Sequence, residues 1–491
     1  MLNIKEIVKV TNGILINGEN NIIPKSYEID SRNIKEGDFF IPIIGEKIDA
    51  HEFIVDTVKR GCIGYFISKK CKSFYNINNE CIKINPNICI IAVEDTIKAL
   101  IDSGKYNREK NIDIPIVTVV GSVGKTSTRE MITSVLREEK NVLCTKKNFN
   151  SNIGISLMCL EIDNQDVCVL EAGIDKFGEM EELSDILKPD IVVMTVIGTS
   201  HIGTFKTKKN IFIEKSKILN NIKGIKKVIA NGDDMYLSTL TPCESYDVDK
   251  VSIDNVDGIL VFENSLEFNT RLYGDKLKIK INQIGDHNIY NALMAIKVAE
   301  YFNIKKKNII NGIKNYKNYT GRLQQICVNG ITLIDDTYNA SSESMRSGLL
   351  TVNRLNAKRK FAILGDMFDL GEMADEIHAK VSEIFSLTEY DYLYTLGDKA
   401  KIIANESKKY IKENNVVSFD NEDNMINRII DEVKIGDIIY FKASNGMHFS
   451  KIVKKIEKIL NEKNKIYLWV LDKKLSVLFL WIKNIILNII N

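Results

Sequence analysis

Ile116-Val-Thr-Val-Val-Gly121-Ser-Val-Gly-Lys125-Thr126 is the stretch that decides the fold. Ile116 to Val120 reads as a buried strand, and the glycine turn leads at once into a helical pattern over Thr126 to Glu139 with Met131, Ile132, Val135 and Leu136 on one face. Backbone N–H groups of a glycine turn at a helix N-terminus form an anion site, where a lysine neutralises phosphate charge and a hydroxyl can ligate magnesium. Gly121, Ser122, Val123, Gly124, Lys125, Thr126 and Ser127 are therefore the candidate nucleotide-binding residues. A full phosphate loop would carry a glycine two positions before Gly121, where Val119 stands, so this is the shorter GxxGK[ST] form. The bland alternative, a chance glycine turn followed by lysine, fits the strand–turn–helix context poorly.

Outward from this loop the chain alternates β-rich runs with helical patterns: VCVLE, DIVVMTV and KVIAN, then, after Gly321, ITLIDD, FAILGD, YLYTLG and DIIYFKAS. Such alternation predicts βαβ units around parallel sheets. The polar run Asn107 to Pro115 reads as a linker. The expected class is α/β, with a mixed α/β N-terminal domain over 1–110, a central phosphate-loop domain with a parallel sheet over 111–318, a Rossmann-like domain over 319–460 and an apolar tail over 461–491. A length of 491 residues agrees with about three domains.

Lys plus Arg (67) nearly cancels Asp plus Glu (65), so no global field draws nucleic acid. The nine cysteines are scattered and never form CxxC, which argues against a disulfide framework or zinc knuckle and for reduced thiols in a cytosolic protein. The opening MLNIKEIVKV lacks the long apolar run of a signal peptide. Glu171 ends the run VCVLE, at the carboxyl edge of a parallel sheet where open α/β folds bind ligands, and His201 follows DIVVMTVIGTS. A carboxylate so placed could hold magnesium opposite the phosphate loop, or simply cap the following turn.

An ordered set of further motifs runs along the chain: Asp30-Ser31-Arg32, Gly37-Asp38-Phe39-Phe40, Gly45-Glu46, Asp49-Ala-His51, Thr145 to Gly154, Glu171-Ala-Gly173, Asn231-Gly-Asp-Asp234, Gly285-Asp-His287-Asn288-Ile-Tyr-Asn291, Gly321-Arg322, Asp335-Asp336-Thr-Tyr338-Asn339-Ala340, and Leu364-Gly365-Asp366-Met367 to Glu372 with His378. Over roughly residues 20 to 455 this set resembles the Mur ligases, and within them the member acting on D-alanyl-D-alanine. The resemblance implies an ATP-dependent amide ligase joining that dipeptide to UDP-N-acetylmuramoyl-tripeptide through an acyl phosphate, in cytoplasmic peptidoglycan precursor synthesis, with a monomer as the working unit. It implies that Lys125, Lys215 and His201 are catalytic. It implies further that His287, Asn288, Asn291, Arg322, Asp336, Tyr338 and Asn339 join the loop in holding ATP, and that Ser31, Arg32, Asn148 and Asn150 contact the UDP-linked peptide. Two magnesium ions are expected on Thr126, Glu171, His201 and Lys215, with Lys215, fourteen residues after His201, carbamylated. By charge pattern alone Lys215 cannot be told from Lys209 or Lys217. For His51 and His378, satisfied structural histidines remain as good a reading as functional ones.

Five positions depart from the family pattern: Ser151, Lys217, Ser341-Ser342 for Asn-Pro, and Asn445 for an arginine. They bear on the identity of the incoming amine and leave room for a divergent ligase that adds another amino acid or dipeptide. A nucleotide-hydrolysing enzyme without a ligase step, and a degenerate scaffold, are the other classes. The segment 466–490 lies outside the resemblance; it is very apolar, with Trp469 and Trp481 as candidate anchors, and could lie in a membrane interface, meet a partner or pack on its own chain.

Overall fold

The computed structural model describes residues 1–146 and 148–462, so the apolar segment 466–490 lies outside the described residues. Among the described residues no helix is long and apolar enough to cross a membrane.

Strands β1 (Ile14–Asn17), β2 (Ser26–Glu28), β3 (Asp38–Phe40), β4 (Gly64–Ser68) and β5 (Cys89–Val93) form the first sheet in the order β1-β5-β4-β3-β2. Only the β1–β5 pair is antiparallel. The chain leaves this sheet through the Thr96–Lys110 helix, capped by Asp95, whose carboxylate accepts from the N–H groups of Ile97 and Lys98. This helix corrects the linker expected from Asn107: Asn107 and Arg108 are buried, and the helix packs lengthwise on the Asn152–Leu160 helix of the next unit. Arg108 donates to the carbonyls of Leu187, Lys188, Asn111 and Ile114 and pairs with Asp190 at 3.2 Å. The polar look of NREK therefore marks buried docking groups, and the connection shrinks to residues 111–115.

The second sheet comprises β6 (Ile116–Val120), β7 (Val142–Cys144), β8 (Val167–Glu171), β9 (Ile191–Met194), β10 (Lys227–Asn231) and β11 (Asp247–Val251), parallel throughout, in the order β11-β10-β9-β6-β8-β7. Its inner strands β6, β8 and β9 are apolar at nearly every position and buried throughout because helices cover both faces. Val117 and Val119 pack with Met131, Ile132 and Ile289, whereas Ile116 and Val120 pack with Ile155, Met158 and Leu183. The chain order reverses beside β6, where a parallel α/β sheet opens a crevice at its carboxyl ends.

A three-stranded antiparallel sheet of β12 (Asp257–Val261), β13 (Leu266–Leu272) and β14 (Asp275–Ile281) was not foreseen from the sequence. The last sheet holds β15 (Gln324–Val328), β16 (Ile331–Asp335), β17 (Lys360–Gly365), β18 (Tyr392–Leu396), β19 (Val416–Phe419) and β20 (Ile438–Lys442), ordered β15-β16-β20-β17-β18-β19. Only its edge strand β15 runs antiparallel.

Candidate active site

The phosphate loop is held by the residues that follow β9. Ser122 N–H donates to the Val196 carbonyl at 2.7 Å, and the Thr195 hydroxyl donates to the Val123 carbonyl at 2.6 Å. A Cβ on Gly121 would stand 2.0 Å from that hydroxyl, so only glycine fits. Gly124 has φ +87° and caps the Lys125–Leu136 helix, whose free N–H groups face the crevice. Lys125 is half-buried and folds back to donate to the Gly121 carbonyl at 2.8 Å; desolvation holds its pKa below the usual lysine value.

Glu171 closes the opposite wall at the end of β8. Its carboxylate accepts from the Thr126 hydroxyl at 2.9 Å, from Asn150 Nδ2 at 3.2 Å and from buried Arg129 at 3.4 Å. Arg322, entering from the connection to the last sheet, donates to the same Thr126 hydroxyl at 3.3 Å and lies 4.3 Å over the Tyr338 ring. Its Nε is buried without a hydrogen-bond partner among the described residues. Such an orphaned cationic donor beside a helix N-terminus fits an anionic oxygen.

One cleft of about 600 Å³ gathers Lys125, Thr126, Glu171, His201, Lys215 and Arg322. Ile97 and Ile101 line it from the Thr96–Lys110 helix, Asn148 and Asn150 from the middle unit, and Tyr338, Asn339, Ser341 and Asn445 from the last. His201, in a left-handed conformation with φ +61°, points Nδ1 between Asp175 at 3.4 Å and Asp369 at 3.7 Å. Burial lowers its pKa. Lys215 is 1% exposed, and burial, with the charge of Lys125 next, drives its pKa well below 10.5. Lys209 is exposed and Lys217 pairs with Glu214 at 2.8 Å, so the structure separates three lysines that the sequence could not.

A second cleft of about 520 Å³ lies across the loop, lined by Gly124, Ser127, His287, Asn291, Arg322 and Asp336 among others. Asn288 lines neither cleft; it is buried, donates to the Ile284 carbonyl and accepts from Asn291 Nδ2 at 3.0 Å, which makes it a support for Asn291. Asp336 is tied to Lys442 at 2.6 Å and Tyr440 at 2.9 Å. Ser31 and Arg32 also line neither cleft, and Arg32 is engaged with Asp30. His51 and His378 are satisfied structural residues. His51 Nδ1 contacts Asp49 and its Nε2 accepts from Ser68 N–H, while His378 Nδ1 donates to the Ala374 carbonyl and its Nε2 accepts from Met367 N–H. Roles for Arg129, Asp175, Glu343 and Lys442 were not foreseen, because their partners in the site, Glu171, His201, Thr199 and Asp336, lie far away in sequence.

Among the described residues no three of His, Cys, Asp and Glu converge on a metal position. The Thr126 hydroxyl and Glu171 carboxylate instead offer a partial shell of hard oxygen donors, which fits magnesium, an ion that keeps waters and substrate phosphate oxygens in its shell.

These features define a phosphate-loop enzyme whose reacting cleft is walled by all three parts of the chain. Residues 119–299 match the Mur ligase middle domain and residues 321–445 the Mur ligase, glutamate ligase domain, together more than half of the chain. UDP-N-acetylmuramoyl-tripeptide–D-alanyl-D-alanine ligase of Bacillus subtilis (strain 168) is 29% identical over 92% of this chain and 98% of its own. The ligase of the same name from Buchnera aphidicola is 28% identical over 94% and 99%. A crystal structure of MurF from Acinetobacter baumannii superposes with a TM-score of 0.80 at 25% identity, covering 93% of this chain and 98% of that one. The chain belongs to the Mur ligase family.

Proposed function

We propose that the chain is an ATP-dependent amide ligase that joins D-alanyl-D-alanine to UDP-N-acetylmuramoyl-tripeptide in the cytoplasm, through an acyl phosphate. One observation carries this reading: the phosphate loop, the Thr126–Glu171 pair, His201 and Lys215 open into a single cleft lined by every unit of the chain. The names of the full-length relatives support the choice of substrates.

The nucleoside would occupy the cleft lined by His287 and Asn291, leaving the triphosphate to cross the loop toward Glu171. The tripeptide carboxylate oxygen attacks the terminal phosphorus, the bridging P–O bond breaks and ADP departs. A neutral amine then attacks the acyl carbon and inorganic phosphate leaves. The loop amides, Lys125 and Arg322 are placed to stabilise charge on the moving phosphoryl group. Magnesium, when bound, neutralises phosphate charge; Thr126 and Glu171 would hold one ion, with His201 and Lys215 on the side of a second. Lys215 supports carbamylation because its buried amine, shifted toward the neutral form, can add carbon dioxide and become an anion. The N-terminal unit, with Ser31 and Arg32, would take the UDP end, and the third unit would present the amine.

A second reading, a ligase for another amine, draws on Ser341 and Asn445, two departures from the family pattern that line the third unit's wall. One experiment separates the readings: phosphate release from ATP, magnesium and UDP-muramoyl tripeptide, with and without D-alanyl-D-alanine or other amines. Release dependent on D-alanyl-D-alanine supports the first; release with another amine only supports the second, and amine-independent release removes both.

A further inference from the structure

Glu343 is in the first turn of the Ser342–Asn353 helix of the last unit, yet its side chain bonds Thr199 and Lys208 of the middle unit. One carboxylate oxygen accepts from the Thr199 N–H at 3.1 Å and from the Thr199 hydroxyl at 2.9 Å; the other accepts from Lys208 Nζ at 2.9 Å. The fit is close. A Cβ on Gly198 would stand 2.8 Å from the carboxylate, so the carboxyl group rests against a bare glycine.

The held segment connects the working parts of the site. Ser122 of the phosphate loop donates to the Gly198 carbonyl at 3.4 Å, and Ser200 donates back to the Ser122 carbonyl at 3.3 Å. His201 comes next in the chain, and Lys208 opens the Lys208–Ser216 helix that carries Lys215 two turns further on. A second contact between the same units lies nearby, where Gly203 N–H donates to the Asp369 carbonyl at 3.0 Å.

We propose that Glu343 is a positioning residue for the ligase reaction: by bonding Thr199 and Lys208 across the domain boundary, it makes closure of the last unit set the places of the phosphate loop, His201 and Lys215. This rests on the ligase reading. Glu343 also lines the cleft assigned to the nucleoside, but its carboxylate is engaged by Thr199 and Lys208, so its loss acts on the closed, reacting state more than on nucleotide capture by the middle unit.

The test compares wild type, Glu343→Gln, Glu343→Ala, Lys208→Met and the Lys208→Met/Glu343→Gln double variant. Each is measured for amine-dependent phosphate release, for ADP binding by titration calorimetry, and for closure by energy transfer between labels on the middle and last units as ATP analogue and UDP-peptide are added. Losing one charged contact in a closed site predicts kcat lower by about 10- to 100-fold in Glu343→Ala. ADP affinity stays within about threefold of wild type, the ligand-induced rise in energy transfer shrinks, and the double variant is no slower than the worse single one, since the two groups act as a unit. Gly198→Ala, which pushes the carboxylate aside from the other face, reproduces the kcat loss and guards against misfolding of the Glu343 variants. Wild-type kcat in folded Glu343→Ala, or additive losses in the double variant, or ADP affinity falling in step with kcat, overturns the proposal. A wild-type protein that releases no phosphate with any amine fails the ligase reading instead, and the energy-transfer signal still reports on Glu343.

Discussion

At Lys215 the amine lies inside the protein while the carboxylates of Asp175, Glu171 and Glu214 act on it only through space. Desolvation disfavours the ammonium, so the neutral, nucleophilic amine persists to a lower pH than in water. Lys215→Ala should lower kcat on the order of 100-fold, the size of effect of removing one preorganised polar group from a closed site. Formate or acetate added to that variant should restore part of the rate by supplying the missing carboxylate; an alanine variant with full activity contradicts the carbamate. His378 shows burial acting on stability. Only its Nδ1–H tautomer satisfies both the Ala374 carbonyl and the Met367 N–H, and burial lowers its pKa. The folded protein therefore keeps it neutral while the unfolded chain takes up a proton below about pH 6.5. Its contribution is complete above that pH and declines as pH falls toward the folded pKa. His378→Ala should cost about 2–4 kcal/mol in urea unfolding at pH 7.5 and flatten the loss of stability between pH 6.5 and 5.5; an unchanged slope refutes the linkage.

Among the elements, β6 with its loop and helix was legible because each part has its own signal: an apolar run, two glycines, then a helical face. The same signals failed at the Thr96–Lys110 helix, where Asn107 and Arg108 look like linker residues and are buried only because their partners, among them Cys159, Leu187 and Asp190, arrive from elsewhere in the chain. The β12–β14 sheet was missed for another reason. Buried Leu266, Phe268 and Leu272 alternate along β13, but β12 is exposed along its whole length and β14 alternates with lysines, so little apolar contrast remains. Carboxylate partners such as Glu343 and Asp369 were equally invisible, since pairing across domains leaves no local pattern. The loop makes the sharpest prediction at this scale. Gly121→Ala sets a methyl against the Thr195 hydroxyl, which the Val123 carbonyl holds in place, so the loop must move. ADP binding measured by calorimetry should weaken by at least about 10-fold, as expected when a helix-terminal anion site is deformed, and Thr195→Ala in the same chain should recover part of it. Wild-type affinity in Gly121→Ala would show that the loop tolerates a side chain.

For the whole molecule the two domain boundaries differ in kind. Arg108, itself buried, ties the N-terminal unit to the middle one through the carbonyls of Leu187 and Lys188 and the carboxylate of Asp190, and holds the connection between them through the carbonyls of Asn111, Ile112 and Ile114. Removing one partner of a buried pair strands the others, so Arg108→Ala should cost about 3–5 kcal/mol and split a single thermal transition into two as the N-terminal unit comes loose. A small cost with one transition would mean the helix contacts alone suffice. The last unit instead meets the middle one through Glu343, Asp369, the Arg354–Asp286 pair and the Ser347–His287 contact, several of them beside the clefts. In the proposed ligase reaction that boundary is the one that would close on substrates, excluding water while aligning the reactants.

In the proposed reaction the cleft brings the terminal phosphorus of ATP to a peptide carboxylate. UDP-muramoyl tripeptide labelled with ¹⁸O in its terminal carboxyl group tests this directly when it is turned over with ATP, magnesium and D-alanyl-D-alanine and the released phosphate is weighed by mass spectrometry. Direct attack by the carboxylate carries one ¹⁸O from the peptide into each phosphate formed. Unlabelled phosphate, taking its new oxygen from water, would contradict it.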